Sequence, residues 1–307
     1  MLRYAAFTLR SAMNPTRLQI AKADIFKFFE ELENPVLKLR EIQSILSRQR
    51  TFWRLAQATS ADDLIAFLTR HGRLRRLEFP FPQRPETLYV WGNVPLPVIL
   101  LGLRKDVYFS HYTAMRMHGL TEQVPHATYL TDERSEGAAR PPVALTQADI
   151  DQAFARPPRV SHNVVMHEGR KVWLLNGAHT GQLGVTTERV HDDDGKPVEV
   201  RLTNLERTLI DISVRPVYAG GVHEVAKAYA LALERVSVNK LVSTLHKLAF
   251  AYPYHQAIGY YLERAGCKPA LLDLVRRLPM ELDFYLAHDM GPTRYVGEWR
   301  LFVPEGF

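Results

Sequence analysis

Residues Tyr108–Pro125 read YFSHYTAMRMHGLTEQVP, and the reading of this stretch divides the rest of the chain. Ser110 suits a helix N-cap, since its hydroxyl can accept from one of the first unpaired backbone N–H groups, and Gly119 suits the left-handed residue that ends a helix. That leaves about two turns between His111 and His118. Tyr112 and Met115 share a face, and Leu120 is placed to fold back on the last turn. The stretch predicts a capped, half-buried helix feeding a strand over Ala127 to Thr131. His111 and His118 lie seven apart with no acidic residue grouped beside them, and His126 falls on a different segment. Core or surface histidines account for them better than a metal does.

Upstream of this helix the chain changes character. The protein has 307 residues, 46% of them apolar, and a net charge of +6, enough for two cores rather than one. Residues 1 to 92 hold 15 Lys or Arg against 9 Asp or Glu, whereas residues 93 to 307 hold 24 of each. The surplus therefore sits in the first third, which suggests a basic domain that meets a polyanion joined to a neutral one that does something else. The Gly- and Pro-containing junction from Gly92 to Pro97 marks the boundary, giving domains over residues 1–95 and 96–307.

In the first domain, helical spacing predicts helices over Ile20–Leu32 and Leu37–Leu46. A third, over Ser60–His71, is capped by Ser60 with Asp62 and Asp63 in its first turn. Leu74–Phe79 and Thr87–Trp91 read as strands on either side of a proline-framed loop, Pro80 to Pro85. Three helices followed by strand, loop and strand is the order of a winged helix-turn-helix. Ser60–His71 is then the candidate recognition helix and Pro80–Pro85 the wing. The candidate DNA contacts are Arg48, Arg50, Arg54, Arg70, Arg73, Arg75, Arg76 and Arg84, because a guanidinium fork can bind two phosphate oxygens. Asp62 and Asp63 oppose this, standing at the helix end that usually enters the major groove.

The second domain alternates short β-rich runs (ATYLT, RVSHNVV, KVWLL) with polar loops up to Leu175. Gln182–Val190 and Pro197–Leu202 then face each other across an Asp-Gly hairpin turn. The three aspartates of that turn, Asp192 to Asp194, read as solvated turn residues rather than a metal site. Asn204 caps a helix, NLERTLIDIS, with Glu206, Arg207 and Asp211 among its polar positions. Helices follow over His223–Glu234, Leu241–Phe250, Tyr254–Ala265 and Leu271–Arg277. Leu282–Ala287 and Trp299–Val303 close the chain as two short strands. The expected fold class is α+β: an N-terminal winged helix followed by a larger mixed α/β domain.

Several function classes are set aside on composition. The single cysteine, Cys267, cannot form an internal disulfide and reads as a packing residue, which fits a cytoplasmic setting. No apolar h-region marks the first 20 residues, and the best membrane candidate, Val94–Leu103, is about ten residues long with two prolines, short of the ~20 a span requires. No phosphate loop, Ser-His-Asp arrangement or nucleotide fingerprint is visible, so no cofactor is expected. A Mg²⁺-dependent nuclease needs carboxylates and a lysine on adjacent strands. Asp283 and Glu298 are the candidates, and Trp299-Arg300 stands where the lysine would be wanted. A protein-interaction module that touches no DNA is the other alternative.

The pieces SHYTAMRMHGL, VPHATYLT, LERTLIDI with PVYAGGV, YPYHQAIGYYLERAG and DFYLAHDMGPTRYVGEWRLFVP are spread over most of residues 107–307. FLTRHGRLRRLEF and ETLYVWG add to them upstream. In their order and spacing they resemble the AbiEi family of abortive-infection antitoxins, from type IV toxin-antitoxin loci of phage defence. The resemblance implies a non-enzymatic transcriptional repressor whose winged helix binds operator DNA and represses its own operon. It also implies a C-terminal domain that helps repression and counters a cognate nucleotidyltransferase-like toxin.

Overall fold

The computed structural model describes residues 15–124, 126–137, 144–192 and 195–307. Pro125, the first 14 residues and Asp193-Asp194 of the aspartate turn lie outside them. The described chain forms two compact units of mixed α and β structure, one made of the described residues from 15 to 78 with 87–94, and one of residues 79–86 with those described from 95 to 307.

In the first unit a short helix α1 (Arg17–Ile20) precedes α2 (Lys22–Glu30), so the single helix expected from Ile20 is broken at Ala21. After Asn34-Pro35 the chain does not enter the next helix directly. The Asn34 side chain accepts from the Val36 N–H, and the extended pair β1 (Val36–Leu37) joins a sheet before α3 (Leu39–Gln49) begins. Proline excludes its predecessor from helical backbone, and the Asn turn redirects the chain outward. A turn-rich corner over Arg50–Thr59 leads to α4 (Ala61–Arg70), then β2 (Leu74–Phe79) and β3 (Glu86–Trp91). The sheet order is β1-β3-β2, with Val36 opposite Val90 across an antiparallel β1–β3 pair. Ile25, Phe29, Ile42, Ile45, Trp53, Leu64, Leu68 and Trp91 fill the core.

The second unit opens with α5 (Leu96–Leu101), β4 (Tyr108–Phe109) and α6 (His111–Met117). Gly119 takes a positive φ of 68° and Leu120 is buried with its N–H on the Met115 carbonyl, the helix ending read from the sequence. The six-stranded sheet runs β6-β7-β5-β4-β9-β8 and is formed by β4, β5 (Ala127–Glu133), β6 (Val164–His167), β7 (Arg170–Gly177), β8 (Val185–His191) and β9 (Pro197–Thr203). β5–β7 and β4–β9 are parallel pairs; β4–β5, β6–β7 and β8–β9 are antiparallel. The β8–β9 pair is the expected hairpin.

Helix α7 (Gln147–Phe154), in a region read as β-rich runs and loops, is set by a Thr146–Asp149 capping box and buries Ile150 and Phe154. After β9 come α8 (Leu205–Val214), α9 (Val222–Ala232), α10 (Val238–Leu248), α11 (Tyr254–Arg264) and α12 (Pro269–Arg276). They pack around Leu209, Ile212, Tyr229, Tyr261 and Trp299. The C-terminal strands β10 (Phe284–Tyr285) and β12 (Leu301–Pro304) are joined by a third, β11 (Thr293–Val296), whose mostly exposed TRYV carries no apolar alternation. Among the described residues no helix is long and apolar enough to cross a membrane.

Candidate functional site

Helix α8 was read as amphipathic, but every residue from Glu206 to Ser213 is buried. A helix that buries its charges must pair them. Glu206 takes the Lys240 ammonium at 2.8 Å and the Ser237 N–H at 3.1 Å. Arg207 donates from Nε to Asp211 Oδ1 at 2.7 Å and from a terminal nitrogen to the Leu183 carbonyl at 2.6 Å. The residue spacing of Arg207, Asp211 and Val214 puts them on one face of α8. That face, with Arg215 just beyond, forms one wall of a cavity of about 530 Å³.

Strands β4, β5 and β7 also line this cavity through Tyr108, Thr131 and Leu175, and the segment after β7 adds Ala178, His179 and Thr180. Behind the lining, Tyr108 donates its hydroxyl to Glu133 at 2.9 Å. Glu133 also accepts from the Thr180 N–H at 2.8 Å, the Thr180 hydroxyl and the Gln182 N–H at 3.2 Å. Burial alone would raise the Glu133 carboxyl, but these hydrogen bonds bring it below its ordinary value, so it stays ionised. Burial, reinforced by the Asp211 and Glu133 charges, pushes the Tyr108 phenol far up and keeps it a donor. Burial works against the Arg207 cation, yet Asp211 beside it raises its pKa further and holds it charged.

His111 lines the cavity with a positive φ of 50°, and Ala249, also lining it, has φ 46°. Non-glycine residues adopt this conformation at a cost and do so where the surroundings enforce it. Ser110 sits at the expected N-cap position of α6, but its hydroxyl caps nothing. It is shared between Thr131 Oγ1 at 2.7 Å and His111 Nδ1 at 2.9 Å. One edge of His111 meets the cavity while protein surrounds the rest. Burial first, then the Arg207 and Arg215 charges, lowers its pKa to about 4, so the ring is neutral near pH 7. His118 is held elsewhere, on the Thr203 carbonyl at 2.7 Å.

The eight arginines expected to meet DNA fall into groups. Arg48, Arg50, Arg54, Arg70, Arg73, Arg75 and Arg76 belong to the first unit and Arg84 to the second. Arg50 reaches the carbonyls of Ala56 at 2.5 Å, Gln57 at 3.3 Å and Thr59 at 2.9 Å, so its fork holds the corner between α3 and α4. Arg73 pairs with Glu30 and lies over the Phe26 ring, and Arg75 touches the Gly92 carbonyl at 3.4 Å. Arg76 pairs with Glu78 and Arg84 with Glu86. The side chains of Arg48, Arg54 and Arg70 are exposed and make no hydrogen bond or ion pair among the described residues. Asp63 turns back to complete a capping box with Ser60, accepting from its N–H and hydroxyl at 2.8 Å each, which lowers its pKa. The loop expected as a wing, Pro80–Pro85, is grouped with the second unit. There Phe79 and Phe81 are buried, and Gln83 Oε1 accepts from Asn176 Nδ2 at 2.8 Å.

A solved structure shares this fold. The crystal structure of RV2827C protein from Mycobacterium tuberculosis superposes with a TM-score of 0.55 at 14% identity, covering 92% of this chain and 91% of that one. At that identity the likeness concerns the fold. No protein-family model matches the chain, and no curated protein matches its sequence.

Asp283 and Glu298 each have partners of their own. Asp283 takes Arg300 Nε and the Tyr295 hydroxyl at 2.8 Å each, and Glu298 takes Arg276 at 2.5 Å. Among the described residues no three His, Cys, Asp or Glu side chains are grouped as metal ligands would be. Sequence reasoning missed the Arg207–Asp211 and Tyr108–Glu133 pairs. The first left only a slight trace, since Leu205, Leu209 and Ile212 make one stripe and Ile210 falls well outside it. The second joins β4 to β5 and left none.

Proposed function

We propose that the chain is a DNA-binding transcriptional repressor of the antitoxin type, with its first unit acting as a winged helix. The observation that carries this reading is topological. Helix α2, β1, α3, α4, β2 and β3 follow one another, and the sheet closes in the order β1-β3-β2, a helix pair backed by a small sheet as in winged-helix domains, although the tip of the β2–β3 hairpin is grouped with the second unit and is given no DNA contact. The concentration of positive charge in the first third supports the same reading, as polyanion binding draws on such charge. Arg48, Arg54 and Arg70 have guanidinium groups to spare for phosphates. With Asp63 folded onto Ser60 and Asp62 exposed beside it, the N-terminus of α4 is a poor base reader. We therefore assign the main contacts to the corner after α3 and the C-terminal turn of α4. The second unit then takes the antitoxin role against a cognate nucleotidyltransferase-like toxin.

A gel-shift titration against salt, using the DNA upstream of the chain's own operon, tests the proposal. A specific complex whose affinity falls steeply with salt is the expected result. Absence of a complex at low salt sinks the DNA-binding reading in favour of a protein-interaction module. Cleavage of the DNA that depends on Mg²⁺ sinks the non-enzymatic one.

A further inference from the structure

The cavity beside α8 has cationic side chains that the fold itself does not use. Arg207 is neutralised by Asp211 and belongs to the framework. Arg159 and Arg215, both lining the cavity, make no side-chain hydrogen bond and no ion pair among the described residues. Among the described residues Asp211 is the only carboxylate in the lining, and it is already matched, so the lining carries a positive surplus. A guanidinium facing such a space favours a phosphate or carboxylate, which its fork can bind through two oxygens.

The rest of the lining narrows the ligand. Val214, Leu248, Phe250 and Tyr218 make an apolar and aromatic wall, which inorganic phosphate would leave uncovered. His111 keeps its Nδ1 on Ser110 and forms no other side-chain hydrogen bond, so Nε2 is available to a polar ligand edge. An aliphatic acid would leave that nitrogen unmatched. The volume of 530 Å³ lies within the ~300–1,000 Å³ of small-molecule sites. Two residues held in the left-handed region, His111 and Ala249, line the same space, as strained residues often do at ligand sites.

We infer that this cavity binds a nucleoside monophosphate, with Arg159 and Arg215 on the phosphate, the Tyr218 and Phe250 side against the base, and His111 Nε2 on a polar edge. This binding is independent of DNA contact by the first unit.

Calorimetric titration of the full chain with the common ribonucleoside monophosphates, with adenosine and with inorganic phosphate tests the inference. The expected result is saturable binding of at least one monophosphate, weaker binding of the nucleoside and of phosphate alone, and a loss of about tenfold or more in R215Q and in R159Q. Both arginines are unbonded and at least partly exposed, so each variant should unfold at the wild-type temperature without ligand. Absence of binding by every monophosphate at millimolar concentration overturns the inference. So does binding that both variants leave unchanged, or inorganic phosphate binding as tightly as any nucleotide. A gel-shift failure with nucleotide binding intact would overturn the repressor reading and leave this one standing.

Discussion

Arg73 reaches Glu30 in the first unit with about half of each side chain exposed (48% and 51%), while Arg207 reaches Asp211 in the second with 8% and 10% exposed. The same two chemical groups therefore do different work. Water and salt screen the exposed pair, which contributes between nothing and about 1 kcal/mol. The buried pair has lost its hydration, so each partner is needed to compensate the other. Charge in the first unit is mostly on display, whereas the charges of α8 in the second are part of the core.

The sharpest way to break this contrast is to remove Asp211. D211A leaves the buried Arg207 cation with the Leu183 carbonyl and the Thr180 hydroxyl as its remaining hydrogen-bond partners, and should lower stability by about 3–5 kcal/mol in urea denaturation. E30A, the matching deletion in the first unit, should cost about 1 kcal/mol or less. A D211A cost as small as that of E30A would mean that water reaches Arg207 and that the two units do not differ in this way.

A second test asks whether steep costs in the second unit extend to its apolar packing. A Cβ built on Gly259 of α11 would stand 2.1 Å from Cζ3 of Trp299, which is fully buried. Alanine normally favours a helix over glycine by up to about 1 kcal/mol, but here the ring would have to move. G259A should cost about 3 kcal/mol net, at the upper end for overpacking, read as a lower thermal midpoint. A gain in stability would show that Trp299 has room to shift.

Acidification should separate the units as well. His111 titrates near 4 in the folded protein against an ordinary 6.5. The unfolded chain thus takes up a proton that the folded one refuses, and stability falls as pH drops from 6.5 towards 4. With part of the ring facing the cavity, about 2 kcal/mol is expected at the acid end of that window. Glu133 and Glu206, depressed below their ordinary 4.5, weaken the fold only below that value. H111N, with a side chain that tolerates left-handed backbone, should flatten the slope above pH 4.5. His255 and His288, lowered chiefly by burial, retain a smaller slope. An unchanged pH profile in H111N would mean that the ring is not confined as described.

What could be read in advance follows the same division. The first unit's helices and two of its strands showed in local spacing, because each buries one face and exposes the other. The short α1 before Ala21 escaped, and so did the two-residue β1, since its place is fixed by pairing with β3 rather than by any pattern of its own. In the second unit the Gly119 ending, the β8–β9 hairpin and the Asn204 cap were legible for the same local reason. The cavity was not. It is assembled from residues as distant as Tyr108, Arg159, Arg207 and Phe250, and no local period encodes a meeting of β4 with β7, which are joined only through β5. The arginines were legible as charges but not as partners. Arg50 looks like any other basic residue in SRQRTFWR until its three carbonyls are seen.

The smallest expected effect on stability is the most telling for function. R48A, R54A and R70A remove exposed side chains that bond to nothing among the described residues, so each should leave stability within about 0.5 kcal/mol of wild type. Arg54 carries a reservation of its own, since its backbone has a φ of 53° and alanine bears that conformation no better than arginine. If these side chains hold phosphates, each substitution should weaken DNA binding roughly equally across sequences and reduce the slope of log affinity against log salt by about 1. R50A should do the reverse, loosening the corner after α3 and lowering stability. A salt slope that R50A reduces and the other three leave alone would exchange the roles given to these arginines, and the contrast between displayed and structural charge would then run through the first unit instead of between the two.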